Sequence, residues 1–170
     1  MQKYSYIVPF MKGARKPFEV HDEQGIVRAK VQRYFPNLLH TLTEMFITGW
    51  EVHVKALQDG QEYLIKEHFH WTKNKWSIFE DGLIIGTLMN IKKIEMGDSK
   101  EITIKGKKFY YLDKALQTQT LIQDEEKNVI AVIDHKLMDL SRKKEITIYS
   151  SELPVSLLIG IDYVSSLKKK

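Results

Sequence analysis

Six histidines are the first residues whose chemistry has to be weighed. His68-Phe69-His70 sets two imidazoles on one face of an extended segment, a spacing that zinc or copper can use. Two ligands do not make a site. A third would have to come from His21, His53, His135 or a carboxylate, so solvated or hydrogen-bonded histidines are the plainer reading and no metal is expected. Asp162 lies within the most apolar run of the chain, Leu153 to Val164, where a buried charge must be paired or neutralised. Because Tyr163, Ser165 and Ser166 follow it, its expected role is structural: a carboxylate at a barrel mouth, bonded to backbone donors or a lysine, that fixes the helix register. Thr147, Ser150 and Ser151 have nucleophilic hydroxyls, but the chain contains no phosphate loop, dinucleotide fingerprint, nucleophile elbow or zinc-protease motif. The expectation is a non-enzyme without catalytic residues or cofactor.

Charge gives the remaining signal. From Lys92 to Lys114 there are seven lysines against four acids, the sharpest local asymmetry in a chain whose net charge is +4. If Lys105, Lys107 and Lys108 gather at a hairpin tip with Arg142, Lys143 and Lys144, the six could contact phosphates or an anionic bilayer. A solvated strand face is the plainer alternative. Lysine in place of arginine favours diffuse attraction over bidentate recognition, and the modest excess falls short of a nucleic-acid footprint.

The elements that must position these groups are mostly strands, since short apolar runs are separated by turn residues. Asp59-Gly60 and Asp81-Gly82 are two-residue links whose positive φ angles match the twist of an antiparallel pair. Asp22-Glu23-Gln24-Gly25 and Asp124 to Asn128 read as longer hairpin loops. The strand candidates are Tyr4–Val8, Phe18–His21, Ile26–Gln32, Trp50–Leu57, Glu62–Phe69, Trp76–Phe79 and Leu83–Ile91. Glu101–Lys105, Lys107–Leu112, Thr120–Gln123, Val129–Asp134 and Lys144–Tyr149 complete about a dozen. Ile102 and Ile104 alternate with Thr103 and Lys105, and Ile146 and Ile148 with Thr147 and Tyr149, so these strands bury one face. A closed antiparallel sheet would use them all without exposed edges.

Two segments have helical spacing instead. Over 37–49, Leu38, Leu42, Met45 and Phe46 form one apolar face, with Asn37 as cap and Gly49 as stop, which predicts an inserted amphipathic helix able to pack on the barrel or on a partner protein. Its polar side carries His40, Thr41, Thr43, Glu44 and Thr48 rather than the lysines and arginines of an interfacial anchor. After the cap candidates of Ser151-Glu152-Leu153 and the first-turn Pro154, a second helix bears Val155, Leu157, Leu158 and Ile161 as core positions and has no wide polar face. A helix apolar all round is buried on all sides, and the inside of the strand layer is the place for it. Its apolar run is shorter than the roughly 20 residues a membrane span needs.

The phrase Phe18-Glu19-Val20-His21-Asp22-Glu23-Gln24-Gly25, with Trp76-Ser77-Ile78-Phe79-Glu80-Asp81-Gly82, Leu121-Ile122-Gln123-Asp124-Glu125-Glu126-Lys127 and the closing Leu153-Pro154-Val155-Ser156-Leu157-Leu158-Ile159-Gly160-Ile161-Asp162, resembles the tubby C-terminal-like superfamily. That group includes tubby proteins, phospholipid scramblases and LURP-one-related proteins. The resemblance implies a twelve-stranded barrel threaded by a hydrophobic helix. Scramblases add a proline-rich arm, a cysteine cluster and an acidic calcium segment that have no counterpart here, so scramblase activity is not implied. Tubby domains recognise phosphoinositide headgroups through basic side chains, and no individual binding residue is carried over.

At 170 residues, 43% of them hydrophobic, the chain suits one domain over 1–170 with one sizeable core. The lack of cysteine fits a reducing cytosol, and Met1 to Phe10 lacks the apolar run of a secretory signal. The expected function is a non-catalytic cytoplasmic module, peripheral to the membrane if it meets anionic phospholipid or phosphoinositide headgroups. The alternative is a protein-interaction scaffold using helix 37–49.

Overall fold

The computed structural model describes residues 1–11, 13–37, 51–68, 74–91, 97–114, 118–135 and 142–168. Among the described residues twelve strands precede one helix: β1 (Gln2–Ile7), β2 (Phe18–Asp22), β3 (Val27–Tyr34), β4 (His53–Gln58), β5 (Gln61–His68), β6 (Lys75–Glu80), β7 (Leu83–Asn90), β8 (Gly97–Ile104), β9 (Lys107–Lys114), β10 (Gln119–Asp124), β11 (Val129–His135), β12 (Lys143–Ile148) and α1 (Val155–Lys168). Each strand pairs antiparallel with its neighbours in sequence, and β1 closes the ring on β12, Gln2 facing Ile148 and Ile7 facing Lys143. The expected closed antiparallel barrel around a C-terminal apolar helix is borne out. The expected helix over 37–49, with Leu38, Leu42, Met45 and Phe46, lies outside the described residues apart from Asn37.

Turn chemistry sets the hairpins. Asp59 and Gly60 have φ of 50° and 83°, and Asp81 and Gly82 have 46° and 83°, the paired positive angles of a primed turn. Lys105-Gly106 repeats the pattern at 49° and 83°, so Lys105 is a turn residue rather than the end of a strand. In the longer links the Asp22 carboxylate accepts from the Gln24 and Ile26 N–H groups, and Asp124 accepts from the Asn128 N–H. These side chains replace backbone partners that the turns deny.

An up-and-down meander puts alternate connections at opposite rims. The five turns named above and the β12–α1 link share one rim, called here the turn rim. Its opposite carries the longer connections and the C-terminal end of α1, and is called here the open rim. Pro154 supplies the carbonyl that accepts from the Leu158 N–H, while the Gln58 side chain of β4 accepts from the Ser156 N–H. A strand residue thus caps the helix, in place of the Ser151 to Leu153 candidates.

Val155, Leu157, Leu158 and Ile161 are all buried, as are most other residues of α1. The helix packs closest to β3, β4 and β5, where Ala29 and Val31 of β3 and Val54 and Ala56 of β4 offer small inward side chains. Elsewhere around the ring the space is filled by larger inward side chains, Tyr6, Trp76, Phe109 and Tyr111. Gly160 makes the close approach possible, since a Cβ there would stand 3.1 Å from Ile65 Cδ1 and 3.7 Å from Val54 Cγ1. Gly160→Val is therefore expected to lower the unfolding free energy by about 1–3 kcal/mol, read as a lower urea midpoint; an unchanged midpoint would show that the helix has room to shift.

Candidate functional site

The barrel separates the six predicted basic residues. Lys107 opens β9 beside the β8–β9 turn, and Lys143 opens β12 opposite Ile7, at the other rim. Lys105, Lys107 and Lys108 lie at the turn rim, where each meets a carboxylate: Glu80 at 2.9 Å, Glu152 at 2.9 Å and Glu101 at 3.6 Å. The Lys105 and Tyr63 hydrogen bonds hold the Glu80 carboxyl below its usual range, and burial together with Glu80 pushes the Tyr63 phenol up to about 12. Asp22, Asp59, Asp81 and Asp124 occupy neighbouring turns of the same rim. Lys105 and Lys107 are thus answered by acids from outside the Lys92 to Lys114 stretch, Glu80 and Glu152, and Lys108 by Glu101 within it.

Lys144 shares the inward face of β12 with Ile146 and Ile148, and its ammonium reaches Asp162 Oδ2 at 2.7 Å and Ser166 Oγ at 3.1 Å. Tyr6 donates to Asp162 Oδ2 at 2.9 Å and Tyr111 to Oδ1 at 3.0 Å. Burial works to raise the Asp162 pKa, but the Lys144 charge and the three donors outweigh it and hold the carboxyl below its usual value. Burial first, and then the Asp162 charge, lift both tyrosines well above theirs, so they remain donors. The predicted lysine partner is present, within the barrel. The two tyrosines escaped sequence reasoning, although Tyr111 keeps the period-2 inward phase of Phe109.

A second buried carboxylate anchors the helix end. Glu67 on β5 meets the Lys168 ammonium at 2.7 Å and accepts from the Val52 N–H, while its own N–H donates to His53 Nδ1 at 3.0 Å. Trp76 Nε1 donates to the Val52 carbonyl at 3.1 Å in the same corner. Burial raises the Glu67 pKa despite Lys168. His68 Nε2 lies 2.7 Å from Ser77 Oγ, whereas His70 is outside the described residues. Among the described residues, no three histidines, aspartates or glutamates converge as a metal site. The Ser150 hydroxyl donates to Glu152 at 3.4 Å, a carboxylate already on Lys107.

The remaining cations meet at the open rim, around the loop between β1 and β2. Arg142 donates through Nη1 to the Pro9 and Phe10 carbonyls, at 3.2 and 3.0 Å, and its guanidinium lies 4.4 Å from the Phe10 ring centroid. Arg15 and Arg33 each stand over the Phe35 ring, at 4.9 and 4.8 Å. Lys16 is exposed. Below the loop runs a groove of about 440 Å³ on the outer face of β1 and β2, with Lys16 and Lys143 among its lining and Ile7, Phe18, Glu19 and His21 beside them. Arg15 and Lys16 were not singled out from the sequence. Their signal was a loop bounded by Pro9 and Pro17 that combines Phe10 and Met11 with Lys12, Arg15 and Lys16.

No helix among the described residues is long and apolar enough to cross a membrane. Comparison with curated proteins and with solved structures returns no match. The model of the Tubby C-terminal like domain does match, over residues 4–169. With twelve antiparallel strands closed around one buried helix and that match across almost its whole length, the chain belongs to the tubby C-terminal-like family, a group of non-enzymatic binding domains known for recognising phosphoinositide lipids.

Proposed function

We propose that this domain is a non-catalytic module that docks its open rim on the headgroups of an anionic phospholipid surface, at the cytoplasmic face of a membrane. One observation carries the assignment: Arg15, Lys16 and Arg142 stand on one rim with no carboxylate in ion-pair range among the described residues, whereas Lys143 beside them is paired with Glu145 at 3.4 Å. Lys105, Lys107 and Lys108, by contrast, are each matched by a glutamate and surrounded by acidic turns. Lys144 is committed to the interior. An anionic surface attracts the first set and is repelled by the acids around the second.

Each basic side chain near an anionic bilayer contributes about 1 kcal/mol. Neutralising two, as in Arg15→Gln with Lys16→Gln, is expected to weaken vesicle partitioning by about 30-fold. Co-sedimentation with vesicles of neutral lipid, with added phosphatidylserine, and with added phosphoinositide is the measurement. Binding is expected only with anionic lipid, falling as salt rises. A preference for phosphoinositide at equal charge would identify headgroup recognition over bulk attraction. Lys105→Gln, Lys107→Gln and Lys108→Gln together should leave binding intact. Recovery of the native chain in the supernatant with every lipid at low salt, or loss of binding in the hairpin variant alone, overturns the assignment.

A further inference from the structure

We infer that Phe10 and Met11, at the tip of the β1–β2 loop, form a hydrophobic wedge that enters the boundary between headgroups and acyl chains. This rests on the open rim being the lipid-facing one, and adds that the contact is not electrostatic alone. Phe10 is 78% exposed and Met11 69%, adjacent large apolar side chains on a loop whose neighbours are cations. Exposed aliphatics occur at the turn rim too, Leu83 at 74% and Ile84 at 68%, but they sit beside Glu80 and Asp81. An anionic bilayer admits the first pair and rejects the second. The charge around each patch therefore selects the occupant.

The loop is also built to keep that shape. The Val8 N–H donates to the Arg142 carbonyl at 3.3 Å, the Ala14 N–H to the Met11 carbonyl at 3.0 Å, and Arg142 clamps the Pro9 and Phe10 carbonyls. Pro9 fixes one φ angle. An apolar tip already held in place loses little conformational entropy on insertion. With its guanidinium on the Pro9 and Phe10 carbonyls and 4.4 Å from the Phe10 ring centroid, Arg142 would meet the phosphates as the Phe10 and Met11 side chains pass below them. Arg15 and Lys16 would lie beside it. Snorkelling cations over buried apolar groups is the usual arrangement at this boundary.

The chain has no cysteine, so a single engineered thiol reports one position. In the full chain, Met11→Cys carrying an environment-sensitive fluorophore is compared with Lys127→Cys at the turn rim. On phosphatidylserine vesicles the label at 11 is expected to shift to the blue and to be quenched by lipids brominated in the acyl chain, while the label at 127 does neither. Phe10→Ser with Met11→Ser, both exposed and therefore compatible with folding, is expected to weaken partitioning by about 100-fold and to remove the salt-resistant part. A bound protein whose label at 11 stays in water, or a double serine variant that binds like the native chain, overturns the wedge while leaving the rim assignment standing. The same holds if those serines instead alter self-association. A native chain that binds no anionic vesicle defeats both.

Discussion

Gly86→Ala is expected to abolish the native barrel, with a loss of about 4 kcal/mol or more that places it among exceptional single substitutions. A Cβ at Gly86 would lie 1.9 Å from the Thr103 carbonyl oxygen and 3.0 Å from both Thr103 C and Ile104 Cα. These are backbone atoms of the neighbouring strand, so trimming the Thr103 side chain offers no relief. Gly86 pairs with Ile104 on β8 and Ile78 on β6, just where the β6–β7 register shifts between Ile78 and Phe79. To admit a methyl group, β7 must leave β8, and the opened barrel then exposes two strand edges. Urea unfolding and near-ultraviolet circular dichroism check this, with Gly13→Ala as control because nothing lies within 4 Å of a Cβ there. A native-like unfolding midpoint in Gly86→Ala would mean that β7 and β8 approach less closely.

Gly86 also marks where pattern reading stops. Asp59-Gly60 and Asp81-Gly82 could be recognised because the residue types themselves demand positive φ, and both pairs adopt it. Lys105-Gly106 uses the same geometry with a lysine in the first place, leaving only the glycine as signal. Alternation located β8 and β12 because one face is apolar. It fails in β7, where Leu83 and Ile84 are exposed despite their type. The helix was legible because no polar face remained for water. The partners of Asp162 were not, since Tyr6 stands 156 residues away in sequence and Tyr111 51, and ring closure alone brings them together.

Two features could have been extracted by parity. Lys107 and Lys143 open strands β9 and β12, three steps apart in a meander, and an odd number of steps reverses the rim. In Lys144-Glu145-Ile146-Thr147-Ile148 a period of two puts Lys144 on the apolar face. The basic cluster was a count of charges along the chain, whereas its function depends on which rim each strand end reaches.

The second large effect concerns that inward lysine. Lys144→Met leaves the Asp162 carboxylate, 1% exposed, with two tyrosine hydroxyls and no cation, and is expected to cost about 3–5 kcal/mol at neutral pH. Asp162→Leu should cost less on the charge side, because the Lys144 side chain is 16% exposed and can turn toward water, though Tyr6 and Tyr111 lose their acceptor. Joining the two removes both charges, and the double variant is expected to be less destabilised than the sum of the single ones. The pH dependence supplies a sign as well. In the native chain Asp162 has its pKa depressed, so its contribution is present above the unfolded value of about 3.9 and is lost as pH falls through the folded one. Without Lys144, burial dominates and the folded pKa rises above the unfolded value. The Asp162 contribution to stability should then decline as pH increases through that interval. Glu67, whose pKa burial already raises, has that slope in the native chain, so the comparison is made as the difference between native and Lys144→Met urea midpoints from neutral pH down to about pH 3. A gap that narrows toward acid places the carboxylate charge at the centre of the lock between helix and barrel, whereas a constant gap assigns the loss to packing of the lysine stem.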